Sequence, residues 1–289
     1  MDGRAINLFK FCFMRKIYSL LLVLIFTASA GIAQNASSYT FSSNSSSSYS
    51  PITGGTLIKN TSTASIDDDV YNNLNIGFTF SYAGMSTNKF SINANGYIEL
   101  AASTSNSYTP TSERTYVVSA MGADLYGRQF VTGSTTLGSN IVPVTSGSTA
   151  GMAVGDLLTG TGTATGATIT ALSSSSITMS LNAVSTGTGR NIRSINCGEI
   201  RYETIGTAPN RTLVVQWSKF SRYATSSPSD NLNFQIRLSE SSGEVSIVYN
   251  TTYIHSTTSI SPKIGITGAA VTDFNTRSTT TSWSSTTAG

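Results

Sequence analysis

Apolar and polar residues alternate over short stretches along much of this chain. Ile76, Phe78, Phe80 and Tyr82 form one such run, and Leu213, Val215 and Trp217 a second. Leu232, Phe234, Ile236 and Leu238 form a third, followed by Val245, Ile247 and Tyr249. A period of two sends successive side chains to opposite faces, so each run predicts a strand buried on one side. Beyond the first 33 residues no segment sustains a 3.6-residue apolar period, and no long amphipathic helix is predicted. The expected fold is all-β: an antiparallel, jelly-roll-like β-sandwich.

One hairpin can be read to the register. In FSINANGYIEL, Phe90 and Ile92 alternate before the turn, and Ile98 and Leu100 after it. A two-residue Asn95-Gly96 loop would set Ile92 opposite Glu99 and split the apolar set between two faces. A three-residue loop, Ala94-Asn95-Gly96, sets Ile92 opposite Ile98 and Phe90 opposite Leu100, with all four on the core face. Burial selects the second, with Gly96 in the left-handed position of a bulge.

The middle of the chain has another texture. Between Arg128 and Arg190 the only charged residue is Asp156 and the only aromatic is Phe130. Short apolar runs (141–144, 155–158, 169–172, 177–181) are separated by Gly, Ser and Thr. This spacing predicts a small β module, residues 128–194, inserted into a sandwich made of 51–127 and 195–289. Residues 34–50, QNASSYTFSSNSSSSYS, read as a flexible Ser-rich lead-in.

The first 33 residues are read separately. Arg15-Lys16 precede the apolar run Leu20 to Phe26, and small residues follow up to Ala33. This is the pattern of a secretory signal peptide, with Met14 as the more natural start, and the run is too short to span a membrane. Four of the 17 basic and one of the 14 acidic residues lie there, which leaves 13 of each. The formal charge of +3 is thus a property of the leader, and no basic patch points to nucleic acid. Of the two cysteines, Cys12 leaves with the leader, so Cys197 has no internal partner.

Five motifs then follow in a familiar order: DDDVYNNLNIGFTFSYAG, KFSINANGYIEL, SAMGADLYG, GEIRYETIGTAPNRTLVVQWSKF and NLNFQIRLSESSGEVSIVYN. Together they resemble the N-terminal β-sandwich domain of large secreted surface proteins of Bacteroidetes-type bacteria, many exported by type IX secretion. More distantly they are similar to a nidogen-like extracellular domain. The resemblance covers residues 38–127 and 197–285. It implies a secreted or cell-surface location, and a chain that is a fragment of a longer protein.

Candidate chemistry is sparse. Asp67 and Asp69, with Asp124, offer carboxylates for a Ca²⁺ ion, the one cofactor considered, although neighbouring strand residues face opposite ways. Tyr223 and Trp283 are the aromatics placed for stacking on a sugar, whereas Trp217 reads as core. His255 is the only histidine and has no acid or nucleophile at a recognisable spacing. Glu199 and Glu203 stand about 13 Å apart on a strand, too far for a glycosidase pair. The expectation is a non-enzymatic structural or adhesive module whose partner is an extracellular polysaccharide or surface protein, with no stable membrane insertion once the leader is gone. The alternatives are a carbohydrate-binding module, or an accessory domain of a secreted hydrolase whose catalytic part is missing.

Overall fold

The computed structural model describes residues 34–44, 48–60, 66–127, 129–147, 149, 152–194, 198–223, 230–250 and 261–276. The expected leader, Cys197, His255 and Trp283 lie outside them.

The alternating runs form two sheets. One is a meander of β2 (Val70–Tyr82), β3 (Met85–Asn93), β4 (Tyr97–Glu99) and β5 (Val117–Gly122), continued by β17 (Lys263–Thr267) and β18 (Phe274–Thr276) beyond β5. The other is a second meander of β13 (Glu199–Ile205), β14 (Thr212–Arg222), β15 (Leu232–Ser239) and β16 (Val245–Tyr249). Outside β13 lies β1 (Thr56–Asn60), and β6 (Leu125–Tyr126) pairs with the last residues of β14. Every pairing is antiparallel. The fold is therefore an all-β sandwich.

The apolar faces of both sheets meet in one core. Phe78, Phe80, Phe90, Ile92 and Ile98 come from one sheet; Leu213, Val215, Trp217, Phe234 and Ile236 come from the other. Polar handles cross the gap as well. The Trp217 indole donates to the Asn93 carbonyl at 3.2 Å, and the Tyr249 hydroxyl donates to the Ala120 carbonyl at 2.5 Å. Burial pushes the Tyr249 hydroxyl's pKa upward, so it stays a protonated donor.

Between β6 and β13 the chain makes a third sheet, from β7 (Gln129–Thr135), β8 (Ile141–Ser146), β9 (Leu158–Gly160), β10 (Ile169–Leu172), β11 (Ser176–Met179) and β12 (Gly187–Ser194). Its order is β10-β11-β8-β7-β12-β9. Val131, Val142, Leu158, Ile169, Ile177, Met179 and Ile192 belong to a second core that shares no residue with the first. Gln129 stands opposite Ser194 in the register of β7 and β12, so this module leaves and rejoins the sandwich at neighbouring backbone positions.

The described residues of the lead-in contact the sandwich. Asp273 accepts the backbone N–H groups of Ala36 and Ser37, each at 2.9 Å. The Tyr39 ring packs on Tyr82 with centroids 5.6 Å apart. Further on, the Gln235 amide donates to the Ser50 carbonyl at 2.8 Å, and Ile52 N–H donates to Gln216 Oε1 at 2.9 Å. The sandwich side chains Asp273, Gln216 and Gln235 thus bond backbone amides and carbonyls of residues 36, 37, 50 and 52.

Candidate functional site

The site grows from the β3–β4 hairpin. Asn93 pairs with Tyr97 and Ile92 with Ile98 across the loop Ala94-Asn95-Gly96, and Gly96 has φ +81°. The ladder stops at Ser91 and Glu99; Leu100 is buried, but its N–H donates to the Tyr116 carbonyl at 2.9 Å. A Cβ on Gly96 would sit 2.9 Å from Met121 Cβ and 3.1 Å from Leu125 Cδ1. Both the left-handed backbone and the lack of room require glycine here.

Asn95 is fully buried and joins three other segments. Its Oδ1 accepts the Leu125 N–H at 2.7 Å, while its Nδ2 donates to Asp68 Oδ1 at 3.1 Å and to Asn106 Oδ1 at 2.6 Å. One amide thus holds together the turn, the Asp67–Asp69 segment, the loop after β4 and the Ala-Asp-Leu segment before β6.

That convergence assembles an acidic patch. Ligand atoms of Asp67, Asp68 and Asp124 lie within 4.8 Å of one another. Sequence reasoning paired Asp67 and Asp124 with Asp69; Asp68 stands there instead. Asp68 has φ +36°, a left-handed backbone that breaks strand alternation and lets adjacent carboxylates share a side. Asp69 turns away, bonding the Lys59 ammonium at 2.7 Å and accepting the Asp67 N–H at 3.3 Å.

Burial, then the neighbouring Asp68 and Asp69 charges, raise the pKa of Asp67 above the ordinary carboxylate value. Burial, then Asp68 and Asp67, do the same for Asp124. Three clustered carboxylates are part of the oxygen set a hard cation takes, which for Ca²⁺ numbers six to eight ligands.

Two tyrosines edge the patch. The Tyr108 hydroxyl donates to Asp68 Oδ2 at 2.9 Å, and that bond pushes its pKa up to about 12. Tyr223 is 49% exposed; its N–H donates to the Asp124 carbonyl at 2.8 Å, and its ring meets Tyr126 edge to face at 5.7 Å. Nothing in the spacing of the sequence placed Tyr108, or the amide of Asn95, at this end of the molecule. Trp217, by contrast, is fully buried and stacked on Phe234 at 5.1 Å, which removes it as a sugar platform. Glu199 is held by Arg201 at 2.5 Å.

The described residues thus define an all-β class of domain, a two-sheet antiparallel sandwich with a hairpin-organised acidic end and a third sheet between β6 and β13. The chain belongs to the NIDO-related family, whose model matches residues 38–149 and 158–289. The matched stretches contain every strand of both sandwich sheets. No curated protein and no solved structure gave a significant match.

Proposed function

We propose that this protein is a non-catalytic extracellular or cell-surface module that acts by display and contact, of the kind carried by secreted surface proteins exported through type IX secretion. The observation that carries this reading is membership of the NIDO-related family, an all-β, nidogen-like module. The chemistry of the carboxylates agrees with it. Glu99 is bonded to Arg114, Glu199 to Arg201, Glu240 to Arg211 and Asp230 to Arg222, so these acids are engaged in holding strands and loops. Among the described residues no helix is long and apolar enough to cross a membrane.

The test is to incubate the purified chain with panels of glycoside, peptide and ester substrates, and separately with bacterial cells and polysaccharides. Binding without turnover is expected. Reproducible turnover abolished by Glu199→Gln or His255→Ala would overturn the reading.

A carbohydrate-binding role is the second reading, favoured by two exposed tyrosines, Tyr108, whose hydroxyl bonds the Asp68 carboxylate, and Tyr223, whose N–H bonds the Asp124 carbonyl. Aromatic faces stack on sugars while acids accept hydroxyl hydrogen bonds. Tyr223→Ala should then abolish binding to a neutral glycan found on an array.

A further inference from the structure

The outer face of the β13–β16 sheet carries a row of polar side chains. Arg201, Gln216 and Gln235 stand directly opposite one another on β13, β14 and β15, and Arg237 follows two residues along β15. Strand alternation puts all four on the face away from Ile200, Val215, Trp217, Phe234 and Ile236 of the core. Gln216 and Gln235 are nonetheless buried. What lies on them is an arm of the same chain, residues 48–54.

The arm is held through its main chain. Arg237 Nη2 donates to the Ser48 carbonyl at 3.2 Å and Gln235 Nε2 to the Ser50 carbonyl at 2.8 Å. Gln216 Nε2 donates to the Ile52 carbonyl and Arg201 Nη1 to the Gly54 carbonyl, each at 3.2 Å. The Ile52 N–H returns a bond to Gln216 Oε1 at 2.9 Å. Every second carbonyl faces the sheet, which is the period of an extended chain, and Pro51 favours that form in Ser50 before it. The receiving side chains also brace one another. Gln235 Nε2 donates to Gln216 Oε1 at 2.8 Å, and Arg237 Nη2 donates to Gln235 Oε1 at 2.6 Å.

Residues 48–54 belong to no strand, and β1 starts only at Thr56. Between arm and strand stand Gly54 and Gly55, and Gly55 has φ +68°. Glycine has the freest backbone of any residue, so this pair has the composition of a hinge.

We infer that the arm exchanges between copies of this chain: in a dimer, residues 48–54 of each copy lie across Arg201, Gln216, Gln235 and Arg237 of the other. An identical arm makes the same main-chain bonds in trans, so exchange costs little beyond association itself. The inference is independent of what the module adheres to.

Light scattering of the full chain from about 10 µM to about 1 mM tests it, since a tethered arm has an effective concentration in the mM range. A dimer that grows over this range is expected. Excess peptide spanning residues 48–54 should return it to monomer by occupying the row of side chains. The same peptide N-methylated at Ile52 lacks the N–H that Gln216 accepts and should not compete. Gly55→Ala meets both the left-handed φ and the Tyr202 carbonyl, 2.6 Å from a Cβ, in the turn that folds the arm back on its own chain. It should raise dimer association about 10-fold or more. Gln216→Met removes the same bonds from the closed and the exchanged forms. It should leave the association constant within about threefold, yet speed subunit exchange between two tagged pools about 10-fold.

A chain that stays monomeric in both the wild type and Gly55→Ala would overturn the inference. So would a dimer that excess peptide leaves intact, equal competition by the N-methylated peptide, or unchanged exchange in Gln216→Met. Where Gly55→Ala fails to fold, the wild-type chain decides: a dimer dissolved only by the unmodified peptide supports the inference, and any other result overturns it.

Discussion

Gly96 and Asn95 show how much one turn can carry. Gly96→Ala must place a side chain at φ +81° and against Met121 and Leu125, so a loss of about 2 kcal/mol is expected in urea unfolding. Asn95→Ala strands the buried Leu125 N–H and should cost about 2 kcal/mol as well. The acidic patch has the opposite sign. Asp124 has its pKa raised by burial and by Asp68 and Asp67, so the folded protein holds its proton more readily than the unfolded chain. That penalty is fully present above the folded pKa and relieved as pH falls through it toward the unfolded value near 3.9. In chelator at pH 7, Asp124→Asn should therefore raise the melting temperature by about 1–2 °C, and the gain should vanish below about pH 4. A loss of stability at pH 7 in chelator would show that the charges are not in conflict.

At the scale of elements, the strands that could be read were those with one apolar face and one polar face. Leu232, Phe234, Ile236 and Leu238 announce β15 because the core buries alternate positions and water accepts the others. The hairpin register followed from the same logic: only the longer loop keeps Ile92 and Ile98 on one face. The acidic site was legible only in pieces. Asp67, Asp124 and Tyr223 could each be picked out, but their meeting depends on the Asn95 amide and on the left-handed Asp68, neither of which leaves a periodic trace. The loop between β4 and β5 was opaque for a similar reason. It is organised by Arg114, which reaches back to Glu99 at 3.2 Å, while Thr104 also donates to that buried carboxylate. Arg114→Ala leaves Glu99 buried without its cation and should cost about 2–3 kcal/mol by urea unfolding. Adding Glu99→Gln should recover part of that loss, because a neutral amide is less costly to bury alone.

On the scale of the whole molecule, the question is whether two cores make two folding units. The sandwich core draws on β2–β6 and β13–β16, whereas the core of the inserted sheet draws only on residues from Val131 to Ile192. Phe130 stands opposite Arg193 in the register of β7 and β12, so Val131–Ile192 can be removed and the ends joined by Asn-Gly. Such a two-residue turn suits adjacent antiparallel strands and adds little loop entropy. The sandwich left behind keeps every side chain of its own core, its Trp217–Asn93 and Tyr249–Ala120 cross-sheet bonds and the Asn95 hub. The shortened chain should therefore unfold cooperatively, with a Trp217 fluorescence transition within a few degrees of the full chain's and a smaller denaturant m-value, since less surface is exposed on unfolding. A deletion that loses its cooperative transition would show instead that the module is needed to complete the sandwich, with the strand pair β7–β12 acting as part of its wall rather than as a stalk.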